Sequence, residues 1–547
     1  MTVIGEPQLP VRSGRRDVSV HAIAWVLVAV LFGGVRLAGV LSIPVSGAEI
    51  DGLAGAWQAH AGNTDSRFAA TFFQAVMTLF FEWSTSEVPH RTLALLASAT
   101  IPLGVYRLRP VLGEGGALAT LLLLAFDAPG VVFGTTATPS GFDLALAVWL
   151  LVLLFERNAP LWAWGTAGFL AATSGPVWLP LAAGIGAVRL IRQEYPSRPV
   201  AGAAVGGALI GVMAASLRFG LGWDGLRVPP LDLFAAGFDE GWSTEPTGYL
   251  AVIYLAPAVL GALGVVAWEA YAAAGGARFT PTRIETLAWA GVAGAWVVAA
   301  AGEHTAVPLA GLSLPLAFVL GPAVARGVSA LWDADWAQAR YAVPAILGGL
   351  AIAAMFLLQW ARSGRAGDGG EQLAVGGMMV VVAACTVWLA MDRGSRPALL
   401  LPAAVVLLLP AAAGLSGVAF GSPNEPLLSP VSPLQAREIR DVAIKARAEQ
   451  GGVIVVHPRF EELVTWPFRD SGELVIASGD VPGAVAIIWP DDLPAPQGYS
   501  TLDGRWTVLE ERRGPDAGVL DYLRWLANRN TLPVGRVPVI VYLKAKP

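Results

Sequence analysis

Residues 21–43 read HAIAWVLVAVLFGGVRLAGVLSI, and this stretch decides the fold because it is apolar over a length that can cross a bilayer. A transmembrane helix needs about 20 predominantly apolar residues. The run exceeds the apolar part of a secretory signal and has no clear small-residue cleavage site, so we interpret it as a retained membrane helix. Arg12, Arg15 and Arg16 precede it and predict that residues 1–20 are a cytoplasmic tail.

The composition of the whole chain agrees with this interpretation. Of its 547 residues, 55% are hydrophobic and 14% are charged, whereas soluble domains carry about 25% charged residues. A soluble protein of this length would still need a polar surface. The net charge of -5 gives no indication of a nucleic-acid partner. The composition therefore predicts a polytopic α-helical membrane protein.

Apolar runs of spanning length recur through residues 21–420, which we predict to form the membrane domain. Residues 68–83 are apolar but short, and we interpret them as an interfacial or re-entrant helix within a first outer loop, 44–91. About thirteen transmembrane helices are predicted, at 21–43, 92–108, 115–135, 140–156, 160–174, 176–192, 200–217, 248–272, 285–301, 306–325, 341–360, 373–391 and 397–419.

The arginines of the loops predict the orientation. With the N-terminus inside, more arginines fall in cytoplasmic loops than in outer loops, as the positive-inside rule requires. An odd number of helices then places the C-terminus outside, and the long outer loops indicate chemistry at the outer face. The cytoplasmic set is Arg107, Arg109, Arg157, Arg189, Arg192, Arg198, Arg278, Arg283, Arg326, Arg340, Arg393 and Arg396, and the outer set is Arg67, Arg91, Arg218, Arg227, Arg362 and Arg365.

A second domain follows the membrane domain. Residues 421–434 contain GSPNEPLLSPVSP, a composition typical of a linker. In residues 435–547, short β-branched runs alternate with helical patterns, which predicts a small extracytoplasmic α/β domain. The domain lacks GxGxxG and GxxxxGK[ST], so no nucleotide site is predicted. The one cysteine, Cys385, and the absence of HExxH exclude an intrachain disulfide and motif-type metal hydrolysis.

Three carboxylates are candidates for chemistry at the outer face. Glu49 and Asp51 follow the first helix, and Asp143 opens the fourth. Such groups can accept a proton from an attacking hydroxyl or bind a divalent cation. The residues alone leave open a plainer interpretation, in which they are solvated or favoured by helix dipoles.

Three further polar residues lie in or beside apolar runs. Arg36 stands seven residues before the end of the first run, where an arginine is either functional or snorkels to the headgroups. Asp127, before Pro129 in the third run, is a weaker candidate. His304 closes the ninth span, where it either contacts a lipid phosphate or belongs to a plain polar loop.

Four stretches carry a resemblance to a known family. The first helix ends in Arg36-Leu37 and is followed by a short proline-containing loop and acidic residues. The other stretches are HRTLALLASATIPLGVYRLRPVLGEGGALATLLLLAFDAPGVVF at 90–133, GFDLALAVWLLVLLFER at 141–157 and SGPVWLPLAAGI at 174–185. Together they resemble the GT-C membrane glycosyltransferases, which include protein O-mannosyltransferases, the aminoarabinose transferase of lipid A and oligosaccharyltransferase catalytic subunits. The resemblance covers about residues 21–330, with a weaker similarity in RFEELVTWPFRDSG at 459–472.

The resemblance implies transfer of a sugar from a polyprenyl-phosphate donor to an acceptor at the outer face of the plasma membrane, with inversion. It leaves open whether a divalent cation such as Mg or Mn, held by the three carboxylates, takes part. The implied catalytic residues are Asp51, Glu49 and Asp143; the implied phosphate-binding residues are Arg36, Arg91 and His304; and the implied substrate contacts in the soluble domain are Arg459, Trp466, Arg469 and Asp470.

The sequence departs from the family pattern at several positions. Ala48-Glu49 stands where the family usually has Asp-Glu, and Ser174 stands where it has a basic residue. These departures keep open a non-catalytic GT-C-fold protein that binds lipid-linked sugar or scaffolds a complex. A secondary transporter would instead show two similar halves and charges near the midplane, and no such repeat is visible.

Overall fold

In a computed structural model, the chain forms a helical domain followed by a mixed β-sheet. The described residues are 20–60 without 44 and 46; 71–220 without 85, 157, 176, 192, 194 and 195; 226–232; 306–332; 434–502 without 462, 463, 465, 466, 469–473 and 480; 506–511; 534–544; and single positions within 258–292 and 377–388.

Two described helices are long and apolar enough to cross a membrane. The first is α1, Val20–Ser42, which confirms the helix predicted over 21–43. The second is Arg198–Ser216. Large aliphatic side chains such as Val30 and Leu209 are 66% and 60% exposed on these helices, as expected of surfaces that face lipid rather than water. The count of about thirteen spans remains a prediction.

Two short helices occupy the predicted first outer loop. They are α2, Gly47–His60, and α3, Phe72–Phe80. The second lies inside the apolar segment 68–83, and Thr71 begins it with a capping box to Gln74. The two helices share a small core cluster that also contains Ala94 and Ala137, and this packing fixes α2 and therefore Glu49.

The predicted span 92–108 is broken into two helices. They are α4, Glu87–Ala99, and α5, Ile101–Arg107, separated at Thr100. The break has a local cause, because Pro102 in the first turn of α5 has no N–H to continue the ladder of the preceding helix. A four-residue helix, α6 at Arg109–Leu112, follows.

The prediction of one continuous helix over 115–135 was also wrong. Helix α7 spans Glu114–Ala125 and α8 spans Ala128–Phe133. Asp127 starts α8 as its N-cap, with its carboxylate accepting the Gly130 amide, and a proline lies in the first turn.

Five further helices complete the described membrane domain, and two of them make an unusually close contact. The main-chain carbonyls of Gly165 and Ala204 lie against the Cα atoms of Gly207 and Gly168. Small residues let membrane helices approach in this way. The five helices are α9 Pro139–Phe155, α10 Leu161–Thr173, α11 Leu179–Ile191, α12 Arg198–Ser216 and α13 Ala306–Trp332, of which α10 and α12 form this contact.

The main core lies where α1, α5, α7, α9 and α13 meet. Phe32, Val105, Leu121, Val148 and Phe318 are all fully buried there. These helices therefore form a rigid frame around the buried polar residues of the membrane domain.

The described C-terminal residues form a mixed sheet with a helix packed on it. Strands β1, β2 and β3 are parallel, and β6 is antiparallel to β3, in the order β2-β1-β3-β6-β4 with β5 also on β6. The described elements fit the predicted α/β class. They are α14 Leu434–Gln450, β1 Val453–Val456, a 3-10 turn Pro458–Phe460, β2 Leu474–Ile476, β3 Ala484–Pro490, β4 Tyr499–Thr501, β5 Trp506–Glu511 and β6 Gly535–Lys544.

The sheet domain touches the membrane domain through an ion pair. Arg437 of α14 donates to Glu87 at the start of α4 over 2.9 Å. This contact places the helix of the soluble domain next to the end of the first outer loop.

Candidate functional site

Glu49 and Arg91 form a buried, bidentate ion pair. The Arg91 Nε donates to Glu49 Oε1 and its Nη2 donates to Oε2, each over 2.7 Å. The two side chains are 0% and 3% exposed. A buried carboxylate must be paired, since removing it from water without a partner is very costly.

Further hydrogen bonds of this pair tie four segments together. The Arg91 Nη1 donates to the carbonyls of Val40 and Ile43, over 3.1 and 2.7 Å. The Ala137 amide donates to Glu49 Oε1 over 2.8 Å. The pair thus joins the end of α1, helix α2, helix α4 and the turn before α9. Two residues that the sequence assigned to separate roles are each other's partner.

Asp51 belongs to the same helix as Glu49 but not to the same face. Two residues along an α-helix are about 200° apart around its axis. Position 51 therefore shares a face with Gly55 and Gln58, which are half-buried. The Asp51 side chain lies outside the described set. The backbone spacing alone therefore separates the two positions around the axis of α2.

Asp143 is fully buried in the first part of α9. Its Oδ1 accepts the Gly175 amide over 2.9 Å. The Ser174 side chain and the Val177 amide also lie close to the carboxylate, and its Oδ2 has no well-oriented hydrogen bond to a described residue. A Cβ at position 175 would overlap this carboxylate. The glycine of the SGP segment is therefore what lets the chain pack against Asp143.

Arg36 is inside the helical frame at 2% exposure, so the alternative of snorkelling to the headgroups was wrong. Its guanidinium lies 3.4 Å from the centroid of the Phe32 ring. It donates to the carbonyls of Phe32, Leu124 and Gly130 over 3.3 to 3.5 Å. It also lies within electrostatic range of the buried Asp127.

Asp127 makes more structural hydrogen bonds than the sequence predicted. Besides capping α8 over 3.0 Å to the Gly130 amide, it accepts the Ser313 hydroxyl of α13 over 2.8 Å. An aspartate two residues before Pro129 is a helix-start signal, so its capping role was readable from the sequence. Its partner 186 residues further along the chain was not.

Two buried charge pairs therefore hold the segment 128–138 from both sides. Arg36 and Asp127 hold its start, and Glu49 with Arg91 holds its end through Ala137. Within the described ranges, no three His, Cys, Asp or Glu residues lie close enough to hold a metal ion. The described carboxylates here serve as hydrogen-bond acceptors for protein groups, which suits a rigid site.

The soluble domain places Arg459 at the carboxyl ends of its parallel strands. Arg459 follows β1, and its Nη1 donates to both carboxylate oxygens of Asp492, which follows β3, over 2.9 and 3.1 Å. In open α/β sheets, ligands bind at this edge. The other predicted positions, His304, Trp466, Arg469 and Asp470, lie outside the described residues.

His457 stands beside this pair at the end of β1. Its ring packs edge-on against Trp489, with centroids 4.9 Å apart. Burial and then the nearby Arg459 lower the pKa of His457. The hydrogen bond from Arg459 lowers the pKa of Asp492. The edge therefore carries a neutral imidazole next to an ion pair near neutral pH.

Comparison with known proteins found similarity in solved structures only. No family model matches the chain, and no curated protein matches it. The crystal structure of ArnT from Cupriavidus metallidurans bound to undecaprenyl phosphate is similar over 96% of this chain and 99% of that chain, with 14% identity and a TM-score of 0.54. The chain has the GT-C fold. The apo form of the same ArnT aligns over 83% of this chain and 86% of that chain, with 16% identity and a TM-score of 0.49.

The GT-C fold confirms the predicted class at a coarse level. It is the fold of a polytopic membrane protein with a C-terminal domain. In this example of the GT-C fold, the segment with Gly175 docks on Asp143 through a main-chain amide, and the neighbouring residue is the neutral Ser174.

Proposed function

We propose that this chain transfers a sugar from a polyprenyl-phosphate donor to an acceptor at the outer face of the membrane. The GT-C fold supports the proposal, since the similar ArnT structure contains undecaprenyl phosphate. The arginine bias supports an orientation in which the N-terminus is cytoplasmic and the soluble domain is outside.

One observation carries the assignment of the base. Glu49 accepts three hydrogen bonds, two of them from Arg91, and is fully buried. That role leaves Asp51 as the other carboxylate of α2 that can act as base. We therefore assign proton acceptance to Asp51 and a positioning role to Glu49 and Arg91.

In the proposed reaction, the acceptor oxygen forms a bond to the anomeric carbon while the bond from that carbon to the phosphate oxygen breaks. Asp51 takes the acceptor's proton. The polyprenyl phosphate leaves as an anion, which needs only charge stabilisation. Asp143 fixes the 174–177 segment, and Arg36 fixes α8, so both act by positioning. His304 remains the proposed contact for the phosphate, and no step is assigned to a cation.

The test measures sugar transfer by two isosteric variants in membranes, with a panel of radiolabelled undecaprenyl-phosphate sugars as donors. Asp51→Asn is expected to lower transfer by about 10²-fold or more, the range for loss of a general base, with unchanged unfolding. Glu49→Gln is expected to lower transfer together with stability. Wild-type transfer by Asp51→Asn would contradict the assignment.

A second candidate is a non-catalytic protein that binds the lipid-linked sugar or scaffolds a complex. The specific observation in its favour is that two of the residues implied by the resemblance, Glu49 and Arg91, neutralise each other. This candidate predicts that the wild-type chain binds the same lipids without turning them over. Turnover by the wild type would exclude it.

A further inference from the structure

A cavity of about 420 Å³ lies among α9, α10, α11 and α12. Its walls are almost entirely apolar and include Leu154, Trp164, Trp178 and Ile185. Its size falls within the range of sites that bind small molecules, roughly 300–1,000 Å³. It is partly open at its surface, so a lipid chain can enter from the bilayer.

This cavity is separate from the carboxylate site. Asp143 is in the first part of α9, whereas Leu154 is in its last turn. Eleven residues of helix correspond to about 16 Å. The cavity therefore extends from Trp178, just after the segment docked on Asp143, to the opposite end of α9, which the arginine bias assigns to the cytoplasmic leaflet.

One of the residues that line the cavity is a cation. Arg189 lines it and is half-buried, with Nη2 donating to the Leu154 carbonyl over 3.3 Å. Arg198, exposed at the start of α12, follows the lining residue Pro196. Arg107 reaches the same end of α9, where it pairs with Glu156 over 3.3 Å. Basic pockets between membrane helices on the cytoplasmic side bind acidic lipid headgroups.

We infer that this cavity holds one acyl chain of an anionic phospholipid whose phosphate lies against Arg189. The apolar walls match the chain, and the Arg189 guanidinium matches the phosphate. A long polyprenyl chain would leave most of its length outside so small a cavity, which favours a phospholipid over a prenyl phosphate. The inference does not depend on the proposed transferase activity.

The chain offers a matched pair of glycines for the test. Gly186 lines the cavity, and a Cβ added there meets nothing within 4 Å. Gly202 on α12 is exposed and also has nothing within 4 Å of an added Cβ. Gly186→Leu should fill the cavity without disturbing the backbone, and Gly202→Leu should add the same side chain to the outer surface.

The experiment uses the full chain in phosphatidylcholine vesicles that contain a photoactivatable phosphatidylglycerol with a diazirine at the end of one acyl chain. We expect crosslinks on α10 and α11, loss of these crosslinks in Gly186→Leu and no change in Gly202→Leu. Arg189→Gln should lower labelling about fivefold, the effect of one cation near an anionic lipid. Thermal unfolding of each variant checks that it is folded.

Three outcomes would overturn the inference. The first is equal labelling of Gly186→Leu and the wild type. The second is equal labelling by a photoactivatable phosphatidylcholine, which would remove the role of charge. The third is stronger competition by undecaprenyl phosphate than by unlabelled phosphatidylglycerol, which would identify a prenyl phosphate as the occupant.

Discussion

Breaking the Glu49–Arg91 pair should destabilise the protein strongly, and the loss of stability should depend on which of the two residues is replaced. Removing one partner of a buried ion pair typically costs about 3–5 kcal/mol, because the other charge stays buried. In Arg91→Met, the Glu49 carboxylate loses both guanidinium hydrogen bonds and keeps the one from the Ala137 amide. In Glu49→Gln, Arg91 keeps two main-chain carbonyls, and the new amide oxygen can still accept a hydrogen bond. We therefore expect Arg91→Met to be the more destabilising change.

The double variant distinguishes the free-energy cost of burying an unpaired charge from the cost of losing the hydrogen bonds between the two side chains. With Glu49→Gln and Arg91→Met combined, neither charge remains, so the cost should not exceed that of Arg91→Met alone. The coupling free energy should be about 3 kcal/mol, at the upper end of the range for interacting residues. The measurement is SDS-titrated unfolding in mixed micelles for the wild type, both single variants and the double variant. If the two single losses of stability sum to that of the double variant within about 0.5 kcal/mol, the residues behave as independent sites and the reasoning fails.

Three other expectations follow from the described contacts. Gly168→Ala should destabilise the chain by about 1–3 kcal/mol, because its Cβ would overlap a main-chain carbonyl of α12. Gly202→Ala should be near neutral, and equal unfolding midpoints for the two would contradict this packing. Asp127→Ala should cost about 2 kcal/mol or more, since it removes a helix cap and leaves a buried arginine less compensated. Ser313→Ala should cost about 1 kcal/mol. A larger loss of stability in Ser313→Ala than in Asp127→Ala would argue against this hydrogen-bond network. The pKa of His457 is lowered in the folded state, so the unfolded state binds more protons. Its contribution to stability is present above the unfolded pKa of about 6.5 and is lost as pH falls below it. His457→Gln should therefore flatten the dependence of unfolding on pH between about 8 and 5, and an unchanged slope would refute this.

The sequence allowed prediction of the features that depend on local pattern. The apolar run at 21–43 predicts α1 almost to the residue, since length and hydropathy alone determine a spanning helix. The breaks after Thr100 and Ala125 were missed because each interrupts an apolar run without a change in composition. Their signals, Pro102 and the Asp127 cap, are short-range and readable.

The partnerships at the site could not be predicted in the same way. Glu49 and Arg91 are 42 residues apart, and Asp127 and Ser313 are 186 residues apart. No periodicity brings such residues together, because their contact depends on how whole helices pack. The sequence therefore identified Glu49, Arg91 and Arg36 as residues of interest, but the buried contacts of each became clear only with the tertiary structure.

The break between α7 and α8 has a consequence for how a membrane helix can bend. Leu124 is in the last turn of α7, where a carbonyl loses its intrahelical N–H when the helix ends. Inside a bilayer no water replaces that donor. Arg36 from α1 supplies one instead. The guanidinium of a neighbouring helix thus donates the hydrogen bond that water donates at the helix ends of soluble proteins. Asp127, which opens the next helix, is close enough to offset part of the cost of burying this positive charge.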